Sequence, residues 1–345
     1  MNETNMLKEI REIDSLRNCC EKNKVVIPEI ANEILAFQPH HIMIVARGTS
    51  LHAGIYAQYL LELNCHIPVS LANPSVFTVY DEAIDLSHSL VIAISQSGKG
   101  YDVSTVLKKA NEQGAYTLAI TNNPNSIVAE AAKHIIFNEI GETLSGAATK
   151  GFTSTLYILT MLTHYLSKKE ELYLNTDQYL ASIEEGLLYY EEVKPWAHDL
   201  TKIGKAVTIA RGMGFSIAKE FSLKLMETCL YPVISFPASE FCHGPLACTS
   251  EETPAFLFAF DRKTNADIKQ VMEYLKDTKA PRYLITNDSE LAKEADHAII
   301  INEGNDLYAF FSGVIVMQLL ASEMSFVKGT YLDHVPVLKG RTNTF

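Results

Sequence analysis

No cluster of basic residues interrupts this 345-residue sequence, in which 41 Asp and Glu outnumber 29 Lys and Arg for a net charge of −12. Aromatic and basic residues do not interleave either, so nucleic acid is not an expected partner, and an anionic ligand must be drawn by a local site against the overall field. The six cysteines, Cys19, Cys20, Cys65, Cys229, Cys242 and Cys248, form no CxxC pair and no regular framework. That is the usage of reduced thiols in a cytosolic protein. Cys242, His243 and Cys248 lie close in sequence but fit no common zinc spacing, so no metal is expected. The amino-terminal stretch MNETNMLKEIREID has no apolar core of signal-peptide length, which argues against secretion. Tyr308 to Met324 is the most apolar stretch, yet it carries Ser312, Gly313, Gln318 and Glu323 and falls short of the roughly 20 residues that span a bilayer. It reads as a buried helix, with no membrane partner and a cytoplasmic location expected.

What is present is a regular alternation of strands and helices. The length allows two domains. His41 to Arg47 and Ser89 to Ser95 read as buried strands, Leu51 to Asn64 and Tyr101 to Gln113 as the helices after them, with Gly114 ending the second. Tyr116 to Thr121 is the next strand, followed by a loop at Asn122–Ser126, a short helix to Ala132 and a strand at His134 to Asn138. Strands separated by helices of this length imply an α/β fold, a parallel sheet covered on both faces.

The pattern then repeats. IVARG at Ile44 recurs as TIARG at Thr208, an offset of 164, and ITNNPNSIVAEAAKHIIFNE at Ile120 recurs as ITNDSELAKEADHAIIINE at Ile285, an offset of 165. Two stretches with nearly one offset argue for duplicated domains, divided here as residues 1–190 and 191–345. Lys168 to Pro195 reads as the connection, with helix near Leu187 to Lys194.

The halves differ where chemistry would sit. The first has ISQSG (Ile94 to Gly98) after its strand, a small hydroxyl-and-glycine turn into a helix that suits a phosphate; the second has AFDRK (Ala259 to Lys263). Thr49 and Ser50 follow another strand, and ligands of doubly wound sheets lie beyond the carboxyl ends of strands. Helix capping is the plain alternative for each hydroxyl turn. In the second half, Glu220, Lys224 and Glu227 fall at i, i+4 and i+7 and share a helix face, either solvated or functional. His243 precedes Gly244-Pro245 in a loop. A carboxylate and an imidazole are the usual groups for moving protons between the first two carbons of a sugar and for opening its ring.

RGTSLHAG (Arg47 to Gly54), ISQSG, AATKGFTSTL (Ala147 to Leu156), LKLMET (Leu223 to Thr228), SEFCHGPL (Ser239 to Leu246) and KGT (Lys328 to Thr330) together resemble the sugar-isomerase (SIS) family, as found in the isomerase part of glucosamine-6-phosphate synthases. The resemblance spans nearly the whole chain. It implies two flavodoxin-like SIS domains, a homodimer with a shared active site, a phosphosugar substrate and no cofactor. It further implies that Ser95, Gln96 and Ser97 hold the phosphate and that Thr49, Ser50 and Gly146 lie near the sugar; Lys99, where the family often has Glu or a small polar residue, is a further candidate phosphate contact of this chain's own. Glu227 matches the proton-transfer glutamate, Lys224 the lysine beside it, and His243 a ring-opening histidine contributed by the neighbouring subunit. Departures are Lys99, Gly100 where a hydroxyl residue is usual, Ala148 where a serine is usual, and a tail in which Lys339 is one residue from the position of the family's ring-opening lysine. No glutaminase segment is present in the sequence. The activity implied is that of a glucosamine-6-phosphate deaminase or isomerase; a fructosamine 6-phosphate deglycase is the alternative, and a non-catalytic sugar-phosphate sensor is disfavoured because no DNA-binding segment accompanies the fold.

Overall fold

The computed structural model describes residues 4–82, 84–302 and 304–330. Lys339 lies outside the described residues. In chain order the elements are α1 (Asn5–Ile10), α2 (Ile13–Phe37), β1 (His41–Ala46), α3 (Thr49–Cys65), β2 (Val69–Leu71), α4 (Pro74–Thr78), β3 (Ser89–Ile94), α5 (Tyr101–Glu112), β4 (Tyr116–Thr121), α6 (Ile127–Ala131), β5 (His134–Phe137) and α7 (Lys150–Ser167). They continue with α8 (Thr176–Leu188), α9 (Tyr190–Asp199), β6 (Ala206–Ala210), α10 (Gly214–Lys224), β7 (Val233–Pro237), α11 (Ala238–Phe241), β8 (Ala255–Ala259), α12 (Asn265–Thr278), β9 (Arg282–Thr286), α13 (Ser289–Ala292), β10 (His297–Ile300) and α14 (Asp306–Lys328).

The strands form two parallel five-stranded sheets, ordered β2-β1-β3-β4-β5 and β10-β9-β8-β6-β7. Read in the opposite direction the second order is β7-β6-β8-β9-β10, the same topology as the first. The duplication expected from the two sequence repeats is therefore present. Asp14–Thr143 with Lys150–Thr176 forms one compact unit around the first sheet; residues 4–13, Leu144–Thr149 and residues 177–330 form the other.

Strands buried on both faces need continuous apolar runs, and HIMIVA, SLVIAI and YTLAIT supply them. Alternation then sorts the side chains. Met43, Val45, Val91 and Ala93 pack with Val103, Val106 and Leu107 of α5, while Ile44 on the opposite face lies against α3, where a Cβ added at Gly54 would meet it at 3.0 Å. In the second sheet Ile209, Leu257 and Leu284 pack with Ile268, Val271 and Leu275 of α12. On its other face Phe256 and Phe258 stack edge-on against Phe221 of α10.

The connection between the halves is longer and more regular than its polar sequence suggests. Helix starts at Thr176, breaks at Tyr189, and runs through Pro195 to Asp199. The apolar stretch at Tyr308 is a buried helix, as read from its sequence. At 23 residues α14 is long and apolar enough to cross a membrane, but 89% of its apolar window is buried within the protein, against α9, α10 and α1.

Candidate functional site

The turn after β3 is fixed from beneath by backbone bonds. Ser95 N–H donates to Ile120 O at 3.0 Å, Asn122 N–H to Gln96 O at 3.0 Å and Val128 N–H to Gly98 O at 3.2 Å. Gly98 has φ +68°, and a Cβ there would sit 2.0 Å from Ser126 Oγ, so only glycine fits. The Gln96 amide lies against Gly151, donates to Thr143 Oγ1 at 3.3 Å, and would be struck at 2.4 Å by a Cβ on that glycine.

The Ser95–Gly98 turn does not cap its helix. Residue Gly100 occupies the N-cap of α5 and Gly48 that of α3, and neither helix receives a capping bond from its N-cap side chain. Among the described residues the Ser95 and Ser50 hydroxyls have no hydrogen-bond partner in the protein, and Ser97 Oγ accepts only a 3.4 Å bond from Lys99 N–H. The capping alternative is thereby set aside for Ser95 and Ser97. A rigid turn with spare hydroxyls at the positive end of a 12-residue helix is suited to an anion.

One negative charge already stands there. Asp102, fully buried in the first turn of α5, accepts from Arg47 Nε at 2.7 Å and lies 2.6 Å from Arg47 Nη2. The guanidinium neutralises a carboxylate that would otherwise repel an anion at this turn. Lys99 is exposed on the same turn.

In the other unit the stripe of charges turns inward. Glu220 and Lys224 are fully buried, Lys224 Nζ lying 3.2 Å from Glu220 Oε1 and 2.7 Å from Glu227 Oε2. Burial acts most strongly on Lys224 and opposes its charge, but the two carboxylates together outweigh it and raise its pKa. The solvated-face alternative is excluded for Glu220 and Lys224. Glu227, 22% exposed, is the open end of this chain.

The backbone at Glu227 is irregular as well. After Lys224 the helix widens into a π-turn, Leu225–Cys229, ending on Leu230 with φ +57°. Such turns are rare and concentrate at functional sites. The end is held by the KGT segment, whose role the sequence alone did not disclose: Lys328 Nζ donates to Cys229 O at 2.7 Å, and Thr330 Oγ1 to Thr228 O at 2.8 Å. Lys328 also lies 3.5 Å over the Tyr231 ring.

His243 is exposed, its backbone N–H donating to Glu240 O at 3.1 Å, and its ring has no partner among the described residues. Gly146 is exposed in the Leu144–Thr149 segment. The structure thus joins Lys224 to Glu227, gathers Ser95, Gln96, Ser97 and Lys99 on one turn, and leaves His243 open on a loop.

The SIS domain family profile matches this chain twice, over residues 35–165 and 199–328, and the chain belongs to that family. A glutamine–fructose-6-phosphate aminotransferase of Bacteroides thetaiotaomicron is 30% identical over 95% of this chain and 56% of its own length. The chain therefore spans little more than half of that relative. The C-terminal domain of the glucosamine-fructose-6-phosphate aminotransferase of Francisella tularensis superposes with a TM-score of 0.82 at 24% identity, covering 95% of this chain and 97% of that one. A glucosamine-6-phosphate deaminase from Thermotoga maritima superposes with a TM-score of 0.78 at 17% identity over 99% of both chains. These two likenesses define the fold.

Proposed function

We propose that this protein is an amino-sugar phosphate enzyme of isomerase type, converting glucosamine 6-phosphate and water to fructose 6-phosphate and ammonia. The observation that carries the reading is Glu227, partly open in a π-turn and tethered at 2.7 Å to a fully buried lysine that a second buried carboxylate also holds. That tether holds the carboxylate in one place, as a proton-transfer group requires.

The uncapped Ser95–Gly98 turn holds the phosphate, with Gln96 and Lys99 beside it and Thr49, Ser50 and Gly146 toward the sugar. His243, contributed by a second copy of the chain, assists ring opening. Glu227 removes the proton from carbon 2 of the open aldose and returns it to carbon 1, while the carbonyl oxygen on carbon 1 gains the proton that the amine gives up. The resulting imine at carbon 2 takes up water and releases ammonia, leaving the ketose, so the proton count balances without an oxidant or reductant. The residues assigned here require no metal or organic cofactor.

The test is to incubate the protein separately with glucosamine 6-phosphate and with fructoselysine 6-phosphate, assaying ammonia and fructose 6-phosphate in the first and free lysine in the second. Ammonia with stoichiometric fructose 6-phosphate is the expected result. Lysine release alone transfers the same residues to a deglycase, and silence in both overturns the reading.

A further inference from the structure

One buried carboxylate takes no part in that scheme. Glu9, on the six-residue helix α1, is 5% exposed. Its Oε1 accepts the backbone N–H groups of Leu144 and Ser145, the latter at 2.8 Å, and its Oε2 accepts Thr149 Oγ1 at 3.1 Å. All three donors come from one segment more than 130 residues away in sequence.

The helix that carries Glu9 is itself seated. Thr4 caps it, accepting from Leu7 N–H at 3.1 Å, and the Thr4 hydroxyl lies 3.4 Å from Ser322 Oγ of α14. Met6 and Ile10 are buried beneath it. A carboxylate buried on such a short helix is a poor source of stability, since desolvation offsets much of what its bonds return. It does, however, fix a loop geometrically.

What the geometry leaves over is specific. Of the four consecutive amides of residues 144–147, Leu144 and Ser145 donate to Glu9, and Ala147 donates to Ser145 Oγ at 3.3 Å. Only the N–H of Gly146 has no partner among the described residues, and Gly146 is exposed. The carboxylate and the Ser145 hydroxyl thus engage the amides on both sides of Gly146, whose exposed N–H, like that of the half-buried Ala148, stays open among the described residues.

We propose that Glu9 is a positioning residue, whose carboxylate sets the 144–149 loop so that the Gly146 N–H is presented to the sugar of a bound phosphosugar. The inference rests on the assignment of Gly146 to the sugar under the proposed function. It adds a role for the amino-terminal helix, which makes no contact with substrate itself. Removing the carboxylate releases three donors and lets the loop relax, so the Gly146 bond is lost without disturbing the phosphate turn.

Labelling the full chain with 15N-glycine supplies a reporter in each place, Gly98 in the phosphate turn and Gly146 in the loop. Glucosamine 6-phosphate should shift both resonances in the unsubstituted protein, and inorganic phosphate should shift Gly98 alone. In Glu9→Ala the Gly98 responses persist while the Gly146 response to the phosphosugar disappears. In the same variant kcat/KM falls about tenfold, the worth of one well-placed hydrogen bond, and inhibition by inorganic phosphate changes less than about twofold. Glu9→Gln, which keeps an acceptor for the two amides, recovers most of both losses; if Glu9→Ala does not fold, a reduced Gly146 response in Glu9→Gln is the expected result.

A Gly146 response unchanged in Glu9→Ala, or absent in the unsubstituted protein while Gly98 responds, overturns the inference and leaves the functional reading standing. Loss of phosphosugar and inorganic phosphate binding together in the variant reduces Glu9 to a structural residue. If neither glycine responds to the phosphosugar in the unsubstituted protein, the functional reading fails first and the inference falls with it.

Discussion

The turn after β3 and the turn after β8 occupy the same place in two sheets of one topology, yet one is open and the other is closed on itself. After β3 the chain reads Ser95-Gln96-Ser97-Gly98, with Ser95 and Ser97 hydroxyls that cap nothing. After β8 the Asp261 carbonyl accepts both Thr264 N–H and Thr264 Oγ1 at 2.8 Å, and Asp261 Oδ1 accepts Lys263 N–H at 3.0 Å. Arg262 reaches Asp306, and Phe260 packs so tightly on α14 that a Cβ at Gly313 would lie 2.2 Å from its ring. A duplicated scaffold has kept its topology while the two turns have diverged. On the proposed function, one copy offers its spare hydroxyls to an anion, whereas the other bonds its turn internally and carries its chemistry on the π-turn after α10.

The largest effect is expected where the second copy buries its charges. Lys224→Met strips Glu220 of its cation in a fully buried place and should destabilise the protein by about 3 kcal/mol, read from urea unfolding. A loss below about 1 kcal/mol, the range of exposed ion pairs, would return the stripe to a surface role. Glu227→Gln should fold normally, bind phosphosugar and lower turnover by about 100-fold or more. Near-normal turnover would remove Glu227 from the mechanism.

Mixing inactive Glu227→Gln with inactive His243→Ala chains should restore a fraction of the activity, because some sites then contain both intact groups. No recovery, with subunit exchange verified, would place His243 in its own chain's site or outside it.

The smallest expected effect separates the two copies by pH. Helix α6 is capped by the neutral Ser126, and α13 by Asp288, whose pKa is lowered first by its bond from Leu291 N–H. Asp288→Ala should cost about 1 kcal/mol at neutral pH. A carboxylate with a depressed folded pKa contributes fully above its unfolded value and loses that contribution as pH falls through the folded one. The cost should therefore vanish in acid, while Ser126→Ala costs the same at both pH values. Equal acid sensitivity of the two variants would contradict this assignment.

The comparison also separates what can be read from residues from what cannot. Apolar runs such as SLVIAI and the IVARG and TIARG repeats carry the sheets and their duplication, because a buried parallel strand leaves a continuous apolar trace. The burial of Glu220 and Lys224 leaves no such trace. Charges at i, i+4 and i+7 look alike on a solvated helix and on one whose face is covered by distant parts of the chain. The π-turn is hidden for the same reason, since one extra residue in a helical turn does not disturb so short a pattern, and its clamp by Lys328 and Thr330 comes from 99 and 102 residues away. Glu9 was equally silent: its partners follow it by 135 to 140 positions.

The central claim, that only the first of the two matching turns holds the phosphate, is tested most directly by calorimetric titration of glucosamine 6-phosphate into the protein at working pH. The account predicts one phosphosugar per chain, an affinity loss of about 1–3 kcal/mol for each charge-assisted bond removed in Ser95→Ala/Ser97→Ala, and unchanged binding in Asp261→Asn. Two phosphosugars per chain, or full affinity in the double serine variant, would contradict it.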